Sequence, residues 1–108
     1  MQDYPVRANH RANLSPEALV GLVREHFGSV EATTEGASTT YGAISRLVVR
    51  ANGRDLRVDL SMNPQVPEEV ARETIARYNR FLEAVTGYSS KERAKRLRKS
   101  AGDAPKGA

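Results

Sequence analysis

The chain has no cysteine and no tryptophan, and its first ninety residues contain no lysine. The missing cysteine excludes disulfides, thiolate nucleophiles and cysteine-ligated zinc together, and fits a reducing cytoplasm. Only two histidines occur, His10 and His26. They are too few and too far apart to form a metal cage or a Ser-His-Asp arrangement. No apolar run approaches the roughly 20 residues that span a bilayer. The opening MQDYPVRANH lacks the basic-then-apolar order of a signal peptide. Neither a GxGxxG nor a GxxxxGK[ST] pattern is present, so no phosphate-cradling loop is expected. These gaps argue against an enzyme and against a bound metal or cofactor.

What is present is unevenly distributed. Residues 1–90 hold ten arginines against eleven acids, whereas residues 91–99 hold six basic residues and one acid. The body is near neutral, and the net charge of +4 comes from the C-terminal end. An electrostatic partner is therefore expected there first. At 108 residues the chain is long enough for one domain with its own core.

The segment AISRLVVRANGRDLRVDLSM, residues 43–62, alternates apolar and charged residues about Asn52-Gly53. Asn-Gly favours a type I′ hairpin turn, with Ala51 opposite Arg54. That register sets Leu47 against Val58 and places Arg50 across from Asp55 and Arg46 across from Asp59. Leu47, Val49, Leu56, Val58 and Leu60 then share an apolar face, and Arg46, Arg50 and Arg57 the other. The same pairing makes Asp55 and Asp59 salt-bridge partners rather than a catalytic carboxylate pair.

Ahead of the hairpin, Tyr4-Pro5-Val6 suits an edge strand. Ser15-Pro16-Glu17 marks a helix start, with Leu14 and Leu19 as a staple and Gly28 as the stop. Residues 29–40 predict two short strands near the sheet edge turning at Glu35-Gly36, with Gly42 at a bulge or bend. A second helix begins near Pro67-Glu68-Glu69 and ends at Gly87, with Val70, Thr74, Ile75, Tyr78, Leu82 and Val85 as its buried stripe. Ser89-Ser90-Lys91-Glu92 has capping-box spacing and opens a short basic helix.

The expected fold is α+β: a two-layer sandwich with an antiparallel sheet of 4–5 strands, two helices on one face, and β-α-β-β-β-β-α order. Residues 1–88 form the domain, 89–99 the basic helix and 100–108 a disordered tail. Nucleic-acid contact is expected through Lys91, Arg93, Lys95, Arg96, Arg98 and Lys99, with Arg46, Arg50 and Arg57 on the open sheet face as a second surface. That face has no aromatic platform for stacking bases. A protein-interaction or assembly module is the alternative, and membrane anchoring is disfavoured because the basic helix has only Ala94 and Leu97 as apolar residues.

The segments Arg77-Tyr78-Asn79-Arg80-Phe81-Leu82 and Thr86-Gly87-Tyr88-Ser89-Ser90-Lys91-Glu92-Arg93, with Ser38-Thr39-Thr40-Tyr41-Gly42-Ala43, resemble the signature of a small archaeal family of uncharacterised proteins. The similarity spans most of residues 1–99. It implies a two-layer α/β sandwich loosely similar to the TATA-binding-protein or helix-grip type, and an archaeal cytoplasm. It brings no activity with it.

Overall fold

The structure is a computed structural model and describes residues 2–95. Its elements are β1 (Gln2–Pro5), a 3-10 helical stretch (Ala8–Leu14), α1 (Pro16–Phe27), β2 (Glu31–Ala32), β3 (Gly36–Tyr41), β4 (Ile44–Asn52), β5 (Asp55–Met62) and α2 (Glu68–Thr86). A third helix, α3, is described over residues 90–95. The strands form one antiparallel sheet in the order β1-β5-β4-β3-β2. Both long helices lie on one side, so the α+β two-layer sandwich and its element order are as expected.

Local chemistry sets the helix ends. The Ser15 hydroxyl accepts a hydrogen bond from the Ala18 amide at 3.2 Å, Pro16 occupies the first helical position, and Gly28 closes α1 in the left-handed region. Gly87 closes α2 in the same way. The core between the layers is built from Leu19, Val23 and Phe27 of α1, Leu47, Val49, Leu56 and Val58 of the sheet, and Phe81, Leu82 and Val85 of α2. Burying each such side chain contributes about 1.5–3 kcal/mol before chain entropy is set against it.

The central hairpin departs from its expected register. Asn52 faces Asp55, Val49 faces Val58, Leu47 faces Leu60 and Arg46 faces Ser61. The two-residue loop is Gly53-Arg54, and Gly53 takes the positive φ of 64° while no non-glycine residue has a positive φ. A single positive φ at the first loop position is the type II′ requirement, which glycine meets without Asn52 entering the left-handed region. Moving the turn by one residue moves each cross-strand partner by two. The apolar face therefore survives, while Arg50 now faces Arg57 and the expected Arg50–Asp55 and Arg46–Asp59 pairs do not form. Near its start β4 also carries a bulge at Ser45, which lets both Ile44 and Leu47 point inward three residues apart.

Two other expectations change. The turn before β3 is formed by residues 33–36, and Gly36 already belongs to the strand. A Cβ there would lie 2.0 Å from the Val49 carbonyl oxygen, so close approach of β4 requires glycine at this place. In α2 the buried residues are Thr74, Phe81, Leu82, Val85 and Thr86, whereas Val70 and Ile75 are 36% and 50% exposed. Alpha-2 packs on α1 as well as on the sheet, with the Phe27 and Phe81 rings 5.3 Å apart, and this turns Phe81 inward and Ile75 outward.

Candidate nucleic-acid interface

The open sheet face presents two cross-strand rows. One runs Asp3-Arg57-Arg50-Gly36 and the other Asp59-Val48-Ser38-Glu31. Arg50 and Arg57 are like charges on directly paired residues, an arrangement that costs energy unless each finds its own acid. Each does. Arg57 donates from Nε and Nη2 to the two Asp3 carboxylate oxygens at 2.8 and 3.0 Å, and Arg50 donates to Glu35 at 3.0 Å. The bidentate hydrogen bonding of Arg57 holds the Asp3 carboxyl below the usual carboxylate range and raises the Arg57 guanidinium.

Arg46 is exposed and, among the described residues, takes part in no ion pair. It borders a shallow cleft of about 470 Å³ with Ser38, Thr40 and Glu31. The face as a whole sets three arginines against Asp3, Asp55, Asp59, Glu31 and Glu35. An acid-balanced surface with two of its three guanidinium groups already forked onto carboxylates is a poor platform for a polyanion. Arg50 and Arg57 thus tie strands and turns together.

The second surface is the basic helix, built on a realised capping box. The Ser89 hydroxyl accepts from the Glu92 amide at 3.2 Å, and the Ser89 amide donates to Glu92 Oε1 at 3.0 Å. Glu92 Oε2 also accepts from Arg7 at 3.1 Å, while the Arg7 guanidinium lies 4.4 Å from the centre of the Tyr88 ring and donates to the Gly87 carbonyl at 2.8 Å. The start of α3 is clamped to the body.

Arg93 does not do what its charge suggested. It is 3% exposed and donates to the Tyr88 carbonyl at 2.6 Å and to Asn79 Oδ1 at 3.1 Å. Burial pulls its pKa down, opposed by the nearby Tyr4 and Tyr78 hydroxyls. A guanidinium so enclosed is shielded from a phosphate in solution. Lys91 and Lys95 stand one turn apart, exposed, and among the described residues in no ion pair. Arg96, Arg98 and Lys99, together with the tail 100–108, lie outside the described residues.

The buried role of Arg93 is set by Tyr88 and by Asn79 of α2, and no local pattern in the sequence marks it. His26 turns inward at the end of α1, its Nδ1 2.9 Å from the Leu22 carbonyl oxygen and its ring edge-on to Phe81, while His10 Nδ1 lies 2.9 Å from Asn9 Oδ1. The two imidazoles are used separately and locally.

No curated protein matches the chain. Among solved structures, the NMR solution structure of the hypothetical protein TA0095 from Thermoplasma acidophilum is similar at 23% sequence identity, with a TM-score of 0.65. The match covers 90% of this chain and 97% of that one. At that identity the likeness establishes a shared fold alone. The family described as "Domain of unknown function (DUF5611)" matches residues 1–99, which takes in the sheet, both long helices and the described residues of α3, and the chain belongs to that family.

Proposed function

We propose that this protein is a non-enzymatic, cytoplasmic binding module that contacts the phosphate backbone of nucleic acid through its basic C-terminal helix. The observation that supports this reading is the anchoring of α3: Arg93, Arg7 and the Ser89–Glu92 capping box hold one side of the helix on the body, and Lys91 and Lys95 face outward. A helix fixed in this way presents its charges without first having to order itself. Lysine on phosphate carries no base information, so little sequence preference is expected.

The test is fluorescence anisotropy of a labelled duplex titrated with the full chain at several salt concentrations. With partial engagement of Lys91, Lys95 and the basic residues after them, log affinity should fall against log salt with a slope of about 2–4. Exchanging both lysines for glutamate should flatten that slope by about 2. An unchanged slope in the double variant, or no binding at moderate salt, defeats the reading, and a protein partner then becomes the better one.

A further inference from the structure

We infer that two copies of this chain pair through the free end of β5, giving a symmetric dimer with a continuous ten-stranded sheet. The inference uses a different surface from the proposed nucleic-acid contact and stands independently of it.

The first observation is an uncovered strand edge. Beta-1 pairs with β5 only from Asp55 to Val58, and among the described residues no strand covers Leu60 to Met62 on that side. The Asn63 amide donates to the Ala43 carbonyl at 2.7 Å, toward β4. Main-chain groups alternate sides along a strand, so Ser61 and Asp59 also turn toward β4, while Leu60 and Met62 turn their N–H and C=O groups outward. Two donors and two acceptors are thus presented on an open edge.

The second observation is what lies beside that edge. Met62 and Ile75 are 38% and 50% exposed, and with Leu60, Thr74, Tyr78 and Asn79 they line an almost wholly apolar groove of about 290 Å³ between β5 and α2. The other two sheet edges carry protection that this one lacks. Beta-2 is only two exposed residues beginning with Glu31, and β1 ends in Pro5. The stretch Leu60-Ser61-Met62 has neither charge nor proline.

The occupant that fits is a second copy. A two-fold axis through Ser61 sets Leu60 against the second copy's Met62 and Met62 against the second copy's Leu60. Those two pairs exchange four main-chain hydrogen bonds, using every outward group of the stretch. The serines meet on the axis, Asp59 falls opposite the second copy's Asn63, and no like charges face each other. On the helix side, Leu60, Met62 and Ile75 of both chains close over the axis and remove the exposed apolar surface from water.

An interface of this extent belongs to the small end of the range, and half-dimerisation at roughly tens of micromolar is expected. The experiment is sedimentation equilibrium of the full chain across that concentration range, after a high-salt wash to remove nucleic acid, combined with residue-resolved amide exchange. The mass should climb from 11.9 kDa toward twice that value, and the Leu60 and Met62 amides should become protected as concentration rises. Ile75→Glu, on the exposed side of α2, and Met62→Pro, which removes only an outward N–H, should each leave a folded chain monomeric throughout. A wild-type mass that stays at the monomer value overturns the inference. So does a dimer whose Leu60 and Met62 amides exchange independently of concentration, or one that persists in Ile75→Glu.

Discussion

Arg93 of the third helix donates to Asn79 of the second at 3.1 Å, and with its 2.6 Å hydrogen bond to the Tyr88 carbonyl this couples the basic segment to the domain. The expected boundary between a domain of residues 1–88 and an appended helix therefore runs through a hydrogen-bonded contact. Replacing Arg93 with alanine takes its charge-assisted donor away from the buried Tyr88 carbonyl. Thermal or urea unfolding should show a loss on the order of 2–3 kcal/mol, because a buried acceptor loses a charge-assisted donor. Arg93→Lys should recover little of it, since one ammonium cannot reproduce the fork.

The central turn offers a sharper comparison. Gly53 carries the positive φ, so Gly53→Ala should cost about 1 kcal/mol in chemical unfolding. Asn52, in extended conformation at the strand end, should tolerate alanine within about 0.5 kcal/mol. A type I′ turn would reverse the emphasis by making both positions sensitive.

The acid limb of stability should depend on Asp3. Hydrogen bonding from Arg57 lowers its folded-state pKa below the unfolded value, so its contribution is present above the ordinary carboxylate range and is lost as pH falls through that range toward the folded value. Below about pH 4 the wild-type chain should lose stability more steeply than Asp3→Asn, measured as the pH dependence of the unfolding midpoint.

Large-to-small changes should divide along the observed face of α2. Phe81→Ala, at a fully buried ring packed on Phe27, should cost about 3–5 kcal/mol, and Leu56→Ala about 2–5 kcal/mol. Ile75→Ala should cost less than about 1 kcal/mol at low protein concentration, because half of that side chain is already in water.

These contrasts indicate how far the sequence can be read. Helix ends were legible because Ser15, Gly28, Gly87 and the Ser89–Glu92 box act through hydrogen bonds only a few residues long. Face assignment in the hairpin was legible too, since a period of two survives a two-residue shift of partners. Register was not, because Asn52-Gly53 and Gly53-Arg54 are both competent turns and the charge pairing that favoured the first neglected Asp3 and Glu35, which lie on other strands and loops. The inward faces of Phe81 and Arg93 depend on α1 and on Asn79, which no local pattern contains.

The pairing of Gln2 with Val58 has a consequence for the order in which the molecule forms. Strands β3, β4 and β5 are joined by tight turns and can assemble as a meander from neighbouring segments, whereas β1 must wait for its partner strand at the far side of a long intervening chain. Closing that loop costs entropy that only the finished β5 can repay, so the N-terminal strand should dock late. Weakening the Asp3–Arg57 fork would then be felt as faster unfolding, with the rate of folding little altered.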